Sequence, residues 1–308
     1  MESVGTPLLW AAFLTFVLAM LALDLGVFHR RAHAVETREA LVWSVFWILL
    51  ALAFNTGVWR WFGPERGFEF LTGYLIEKAL SVDNIFVFLV IFSYFGVPAA
   101  YQHRVLFWGI VGAVIFRMAF ILAGAALLAA FHWIIYVFGG LLVITGLRML
   151  RGTGEVHPER NRLVALARRV LPVVPAYHGA AFFVRERGRL AATPLLLTLL
   201  TVEATDIIFA VDSIPAIFAI TADPFIVFTS NLFAILGLRA LYFLLAGILH
   251  RFHYLKVGLS LVLVFVGVKM LASEIMQVPI GLSLAVVAIL IGGSVIASLL
   301  RPIPEAVP

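Results

Sequence analysis

Residues 74–94 read YLIEKALSVDNIFVFLVIFSY, an apolar run of the kind a bilayer accepts, except for Glu77, Lys78, Asp83 and Asn84 near its start. A charged group at the centre of a bilayer costs about 2.5–3.5 kcal/mol even on lenient insertion scales, and ionisable residues found there are functional by default. The rest of the chain has to supply whatever makes these groups tolerable.

Of the 308 residues, 63% are hydrophobic and 13% charged, against about 45–50% and about 25% in an ordinary soluble domain. Long apolar stretches recur, each able to cross about 30 Å of hydrocarbon as a helix. Nine spans are predicted, at residues 7–28, 41–62, 71–95, 104–129, 132–150, 193–218, 225–249, 254–272 and 279–300. The fold class expected is therefore all-α and polytopic. The first span has no basic region ahead of it and no small-residue cleavage site, and it carries Asp24; it reads as a retained helix rather than a secretory signal. With no cysteine in the chain, disulfides, thiolate metal sites and a cysteine nucleophile are excluded.

The net charge of +5 has a topological explanation that needs no nucleic acid. Short loops rich in Lys and Arg stay in the cytoplasm. With the N-terminus outside, only Arg60, Arg66 and Lys269 of the 22 basic residues fall on the outer side, and Lys78, Arg117 and Arg239 lie within the membrane. All others fall inside, including most of the connection 151–190, which holds eight Arg against three Glu. The expected placement is a bacterial inner membrane with the C-terminus cytoplasmic. That connection is read as a solvated loop, with LVALARRVL at 163–171 as an amphipathic alternative lying on an anionic leaflet.

The chain repeats itself. EKALSVDNI at 77–85 aligns with DIIFAVDSI at 206–214, and FRMAFILAG from Phe116 resembles LRALYFLLAG from Leu238, which sets Arg117 opposite Arg239. FHWIIYVFGGLLVITGLRML at 131–150 pairs without a gap with FHYLKVGLSLVLVFVGVKML at 252–271. Each copy holds three spans, and an odd number inverts the second copy relative to the first. Inverted repeats are a common architecture of secondary transporters, with substrate near the midplane where the copies meet. The expected organisation is one transmembrane domain: two N-terminal helices at 7–62, repeat 1 at 71–150, the basic cytoplasmic loop at 151–190, repeat 2 at 193–272 and a last helix at 279–300.

The intramembrane acids are Glu77 and Asp83 in the third span and Glu203, Asp206 and Asp212 in the sixth. Glu203 and Asp206 share a helix face. Asp206 and Asp212, six residues apart, are separated by about 9 Å along a regular helix and about 120° around it, so a straight helix cannot present both to one ion. Either the helix is interrupted, as Pro215 would favour, or ligands come from both copies; the latter is preferred, with local unwinding near Asp212. Five acids against Lys78, Arg117 and Arg239 leave a surplus of two negative charges when all are ionised, which one divalent cation would match. Carboxylates, Asn84, Ser213 and backbone carbonyls are hard oxygen donors suited to Mg2+, Ca2+ or Mn2+. The competing reading is a set of ion pairs that only hold helices together. Asp24 can reach the headgroups from its span end. His29, His33, His132 and His253 read as interfacial anchors, the seven Trp as interfacial or lipid-facing bulk, and TADPF at 221–225 as an outer turn. Asn231 either joins the site or bonds to a neighbouring helix.

YLIEKALSVDNIFVF together with VEATDIIFAVDSIPAIFAITADPFIVFTSNLFAILGLRALYFLLAG closely resembles the TerC family of integral membrane proteins, and VGTPLLW, GYLIEK and FSYFGVPA resemble its Alx branch. The resemblance covers nearly the whole chain apart from about 151–180. It implies a cation exporter related to the lysine-exporter superfamily, with manganese efflux as the favoured activity and Mn2+ as substrate. The family's acidic motif carries over to Glu77, Asp83, Glu203, Asp206 and Asp212, with Asn84 and Ser213 beside them; Lys78, Arg117 and Arg239 would balance charge. The partners implied are a divalent metal ion and the lipid bilayer, with no nucleic acid and no organic cofactor, and a homo-oligomer is compatible with the sequence. Exchange for protons is open to such carboxylates. The other readings are an exporter of another small cation or a cationic amino acid, an intramembrane carboxylate enzyme for which no motif is present, and a scaffold acting through the basic loop.

Overall fold

The computed structural model describes residues 3–26, 36–131, 133–151, 172–186, 189–246, 252–273, 275 and 278–301, apart from the side chains of residues 24–26, 83, 86 and 212. The side chains of Asp24, Asp83 and Asp212, and the whole of His29, His33, His132 and the segment 163–171, thus lie outside the described residues.

The apolar runs become helices. In chain order these are α1 (Pro7–Gly26), α2 (Thr37–Phe62), α3 (Pro64–Phe95), α4 (Ala99–Ala130), α5 (Ile134–Leu150), a hairpin of β1 (Phe183–Glu186) and β2 (Arg189–Ala192), then α6 (Pro194–Phe218), α7 (Pro224–Leu236), α8 (Leu238–Leu245), α9 (Leu255–Leu271) and α10 (Ile280–Leu300). Among the described residues, five helices, taking α7 and α8 as one, are long and apolar enough to cross a membrane. The chain is an all-α, multi-pass integral membrane protein.

The structure departs from the sequence expectation in three places. α3 starts at Pro64, ahead of the predicted 71, because proline is pre-set for the first helical turn and Glu65 there favours the helix dipole. The span predicted at 225–249 is two helices that meet at Gly237. The connection read as a solvated loop ends in a hairpin: β1 and β2 pair antiparallel from Phe183↔Ala192 to Glu186↔Arg189, and Ala192 also bonds to Pro172 and Val174. The Tyr177 hydroxyl donates to the Phe95 carbonyl at 2.8 Å, tying this connection to the end of α3.

Helix packing centres on α3 and α6. Each packs on the other; α3 also packs on α7, α4 packs on α6 and α7, and α5 lies along α9. In lipid, apolar side chains gain nothing by leaving the bilayer, so close association relies on small residues that let backbones approach. The α5–α9 contact is built that way. A Cβ added at Gly267 would fall 2.8 Å from the Gly139 carbonyl oxygen, and one at Gly146 would fall 2.8 Å from that of Ser260. As α5 advances from Gly139 to Gly146, its partner on α9 recedes from Gly267 to Ser260, so the two helices run antiparallel.

Phe13 of α1 packs against Phe54 of α2 and Phe225, Phe228 and Phe233 of α7, with ring centroids 5.6 to 6.0 Å apart. The N-terminal segment is stitched to the same helix. Asp223 caps α7 by accepting from the Phe225 amide at 2.9 Å, and it also accepts from the Ser3 hydroxyl at 2.7 Å and the Val4 amide at 2.8 Å.

Gly267→Val must push against a backbone oxygen and should destabilise the detergent-solubilised protein by about 1–3 kcal/mol. Gly140→Val, with nothing within 4 Å of its added Cβ, should stay within about 0.5 kcal/mol of wild type. Equilibrium denaturation of both variants measures the difference.

Candidate functional site

Near the middle of α4 lies Arg117, the bulkiest fully buried side chain among the described residues, at 1% exposure. A guanidinium cannot be deprotonated here, so its burial demands acceptors. Its Nη1 donates to Glu77 Oε1 on α3, to Ser213 Oγ on α6 at 3.2 Å and to Asn231 Oδ1 on α7 at 3.2 Å. Its Nη2 reaches Asp206 Oδ1 on α6 at 3.2 Å, with Nε at 3.5 Å from the other Asp206 oxygen. Asn231 closes the ring by donating from Nδ2 to Glu77 Oε2 at 3.1 Å. Glu77 is 0% exposed and Asp206 5%. Four helices thus meet at one cation.

Glu77 and Asp206 are the residues that align in the two sequence copies, and a single guanidinium binds both. The break expected in the sixth span, or local unwinding near Asp212, is not found: α6 runs as one helix from Pro194 to Phe218 with Pro215 inside it. Pro215 still lacks an N–H for the Val211 carbonyl, which leaves an acceptor one residue from Asp212. The ligands of the cage come from both copies.

Glu203, one turn before Asp206, lies against Gly112 of α4, where any Cβ would collide with its carboxylate. Its Oε2 is buried without a hydrogen-bond partner among the described residues. A carboxylate oxygen left so is costly.

Lys78 does not answer Glu77. Its Nζ donates to the Ala234 carbonyl of α7 at 3.3 Å and comes so near Gly237 that a Cβ there would fall 2.8 Å from it. The ammonium thus serves the carbonyl end of α7, the negative pole of that helix, where it meets α8. The sequence offered no sign of this break beyond Gly237 itself. Arg239 faces a narrow void that Asp206, Gly109, Ala113 and Val202 also line. Asn84 is buried at 2% exposure. His253 sits against Tyr254 at 4.1 Å between ring centroids, away from the cage.

Among the described side chains, Glu77, Glu203 and Asp206 face Lys78, Arg117 and Arg239, so the surplus of two negative charges read from the sequence rests on Asp83 and Asp212. No three Asp, Glu or His side chains among the described residues stand close enough to cage a metal. Arg117 stands between Glu77 and Asp206.

Residues 62–302 match the Integral membrane protein TerC family. The chain belongs to that family. It is 61% identical to "Uncharacterized membrane protein STKORF319" of Myxococcus xanthus, over 97% of this chain and 94% of the relative. It is 51% identical to "Putative membrane-bound redox modulator Alx" of Escherichia coli K12, over 93% of this chain and 92% of the relative. A membrane protein of Rickettsia bellii is 41% identical over 95% and 97%. No solved structure matches significantly. The cage residues of this TerC-family chain fall inside the matched region.

Removing one member of a buried ion pair leaves the other uncompensated, at a cost of about 3–5 kcal/mol. Arg117→Ala should lose stability in that range. Lys78→Met, which keeps the volume and strands only the Ala234 carbonyl, should cost about 1–3 kcal/mol. Thermal or denaturant unfolding in detergent ranks the two.

Proposed function

We propose that this protein is a secondary transporter that exports a divalent metal cation, Mn2+ foremost, through a carboxylate site inside the membrane. The observation that carries this reading is the meeting of Glu77 and Asp206, equivalent residues of the two sequence copies, on one guanidinium at the centre of the bundle. Two acids against one base leave that cluster negative, and hard oxygen donors favour a hard cation. Asp83, Asp212, Asn84 and Ser213 complete the proposed donor set, with Glu203 beside it against Gly112 and Lys78, Arg117 and Arg239 as its charge balance.

The contact pattern supports the inverted-repeat architecture. α3, α4 and α5 on one side correspond to α6, α7–α8 and α9 on the other. Exchanging the two trios carries the α3–α7 contact into the α6–α4 contact and leaves the α3–α6 and α5–α9 contacts in place. It also carries the Gly139–Gly267 approach into the Ser260–Gly146 approach. Alternating access would then be rocking of one trio against the other around the acids. We place the N-terminus outside on the distribution of basic residues, and we take exchange for protons as the driving reaction, since carboxylates accept protons as they release metal.

A second reading has its own observation. The cage already holds a guanidinium, so a cationic amino acid would find acceptors there. A redox effect of the kind named for the Alx relatives would not run through thiol exchange in a chain without cysteine.

Asp206→Asn and Glu77→Gln, inserted normally, should reduce Mn2+ efflux from loaded proteoliposomes to background. Efflux at the wild-type rate would remove the site assignment. In the same vesicles, excess Mg2+ or Ca2+ should compete more strongly than arginine or lysine; the opposite order favours the second reading.

A further inference from the structure

The acceptors around Arg117 are two carboxylates, a hydroxyl and an amide oxygen, contributed by α3, α6 and α7. That is the set a hard cation would take, and all of it is spent on one side chain. Each of these hydrogen bonds from Arg117 goes to another side chain. None of them fixes the guanidinium to a backbone, so it can leave by rotation about its own torsions.

The helix sets the direction of that withdrawal. Side chains on a helix lean toward its N-terminus, which for Arg117 is the direction of Ala113 and Gly112. Ala113, one turn away, and Gly109, two turns away, line the narrow void that Asp206 also borders. Gly112 stands five residues ahead of Arg117, about 7.5 Å along the helix axis, and the Glu203 carboxylate rests against it with one oxygen unpartnered among the described residues. With a cation on Glu77 and Asp206, the unpartnered Glu203 oxygen is the acceptor left among the described residues for a displaced guanidinium.

We propose that Arg117 is an internal stand-in for the transported cation: it fills the Glu77–Asp206–Asn231–Ser213 cage when the protein is empty and withdraws to Glu203 when a cation enters. Charge favours the exchange. With the cage empty, Glu77, Asp206 and Arg117 sum to one negative charge and Glu203 adds another. With a divalent ion on Glu77 and Asp206, and Arg117 on Glu203, both clusters are neutral. The stand-in keeps the unloaded acids from standing bare in the bundle, which would otherwise oppose the return of the empty carrier, and it sets the affinity of the cage, since an entering ion has to displace it.

This rests on the cation-transport reading, and the test separates the two. Mn2+ binding to purified protein in nanodiscs is measured by calorimetry for wild type, Arg117→Gln, Arg117→Lys, Glu203→Gln and the Arg117→Gln/Glu203→Gln double variant, each checked for monodispersity. Arg117→Gln should bind Mn2+ at least about tenfold more tightly than wild type, yet export it more slowly. Arg117→Lys retains the charge but cannot bridge two carboxylates as a fork does; it should bind more tightly than wild type too, and it carries the test if the glutamine variant does not fold. Glu203→Gln should weaken binding in the wild-type background and leave it unchanged in the Arg117→Gln background, because its contribution runs through Arg117. Weaker or unaltered binding on replacing Arg117, or an equal effect of Glu203→Gln in both backgrounds, overturns the stand-in. Absence of Mn2+ binding by every protein, wild type included, overturns the transport reading on which it depends.

Discussion

Everything in the bundle interior is arranged around a guanidinium that cannot lose its charge. Arg117 is buried to 1% exposure, and a charge in that position is tolerated only with acceptors on every side. Glu77, Asp206, Ser213 and Asn231 have to arrive at one depth, which fixes how α3, α6 and α7 are rotated and how far each slides past α4. The same cluster is charge-imbalanced by design of the sequence: two acids meet one base. Packing in a membrane has no use for such a cluster, because apolar side chains would fill the volume without desolvation cost.

The mechanical complement to this polar centre is the small-residue seam between α5 and α9. Gly139, Gly146, Ser260 and Gly267 let two backbones touch, and they do so in reciprocal pairs. The glycine-lined face of α4 serves a different end: Gly112 makes room for a carboxylate rather than for a helix. Small residues therefore do two jobs here, close approach along one pair of helices and accommodation of an ionisable side chain along another.

Much of this was legible in the sequence because apolar length and charge are one-dimensional properties. Among the described residues the predicted apolar runs are largely helical, and the acids that matter to the cage were visible as interruptions in them. What decided contacts was not visible. Lys78 follows Glu77 directly and reads as its counter-ion, yet neighbours on a helix point about 100° apart, and Lys78 faces the end of α7 instead. Pro215 looked like the place where a helix would open, but the chain continues through it and divides at Gly237. Asn231 stands eight residues ahead of Arg239 just as Gly109 stands ahead of Arg117; the copies differ at that place, and only the relative rotation of α4 and α7 tells that the asparagine serves the other copy's arginine. The β1–β2 hairpin gives little signal because its strands are only four residues each.

The attachment of Ser3 and Val4 to Asp223 has a practical side. The carboxylate that receives them starts the helix on which Asn231 lies, two turns further along. Purification handles, fluorescent proteins or antibody epitopes joined at the amino end would tug on that helix through this stitch, so reporters of activity are better placed elsewhere on the molecule.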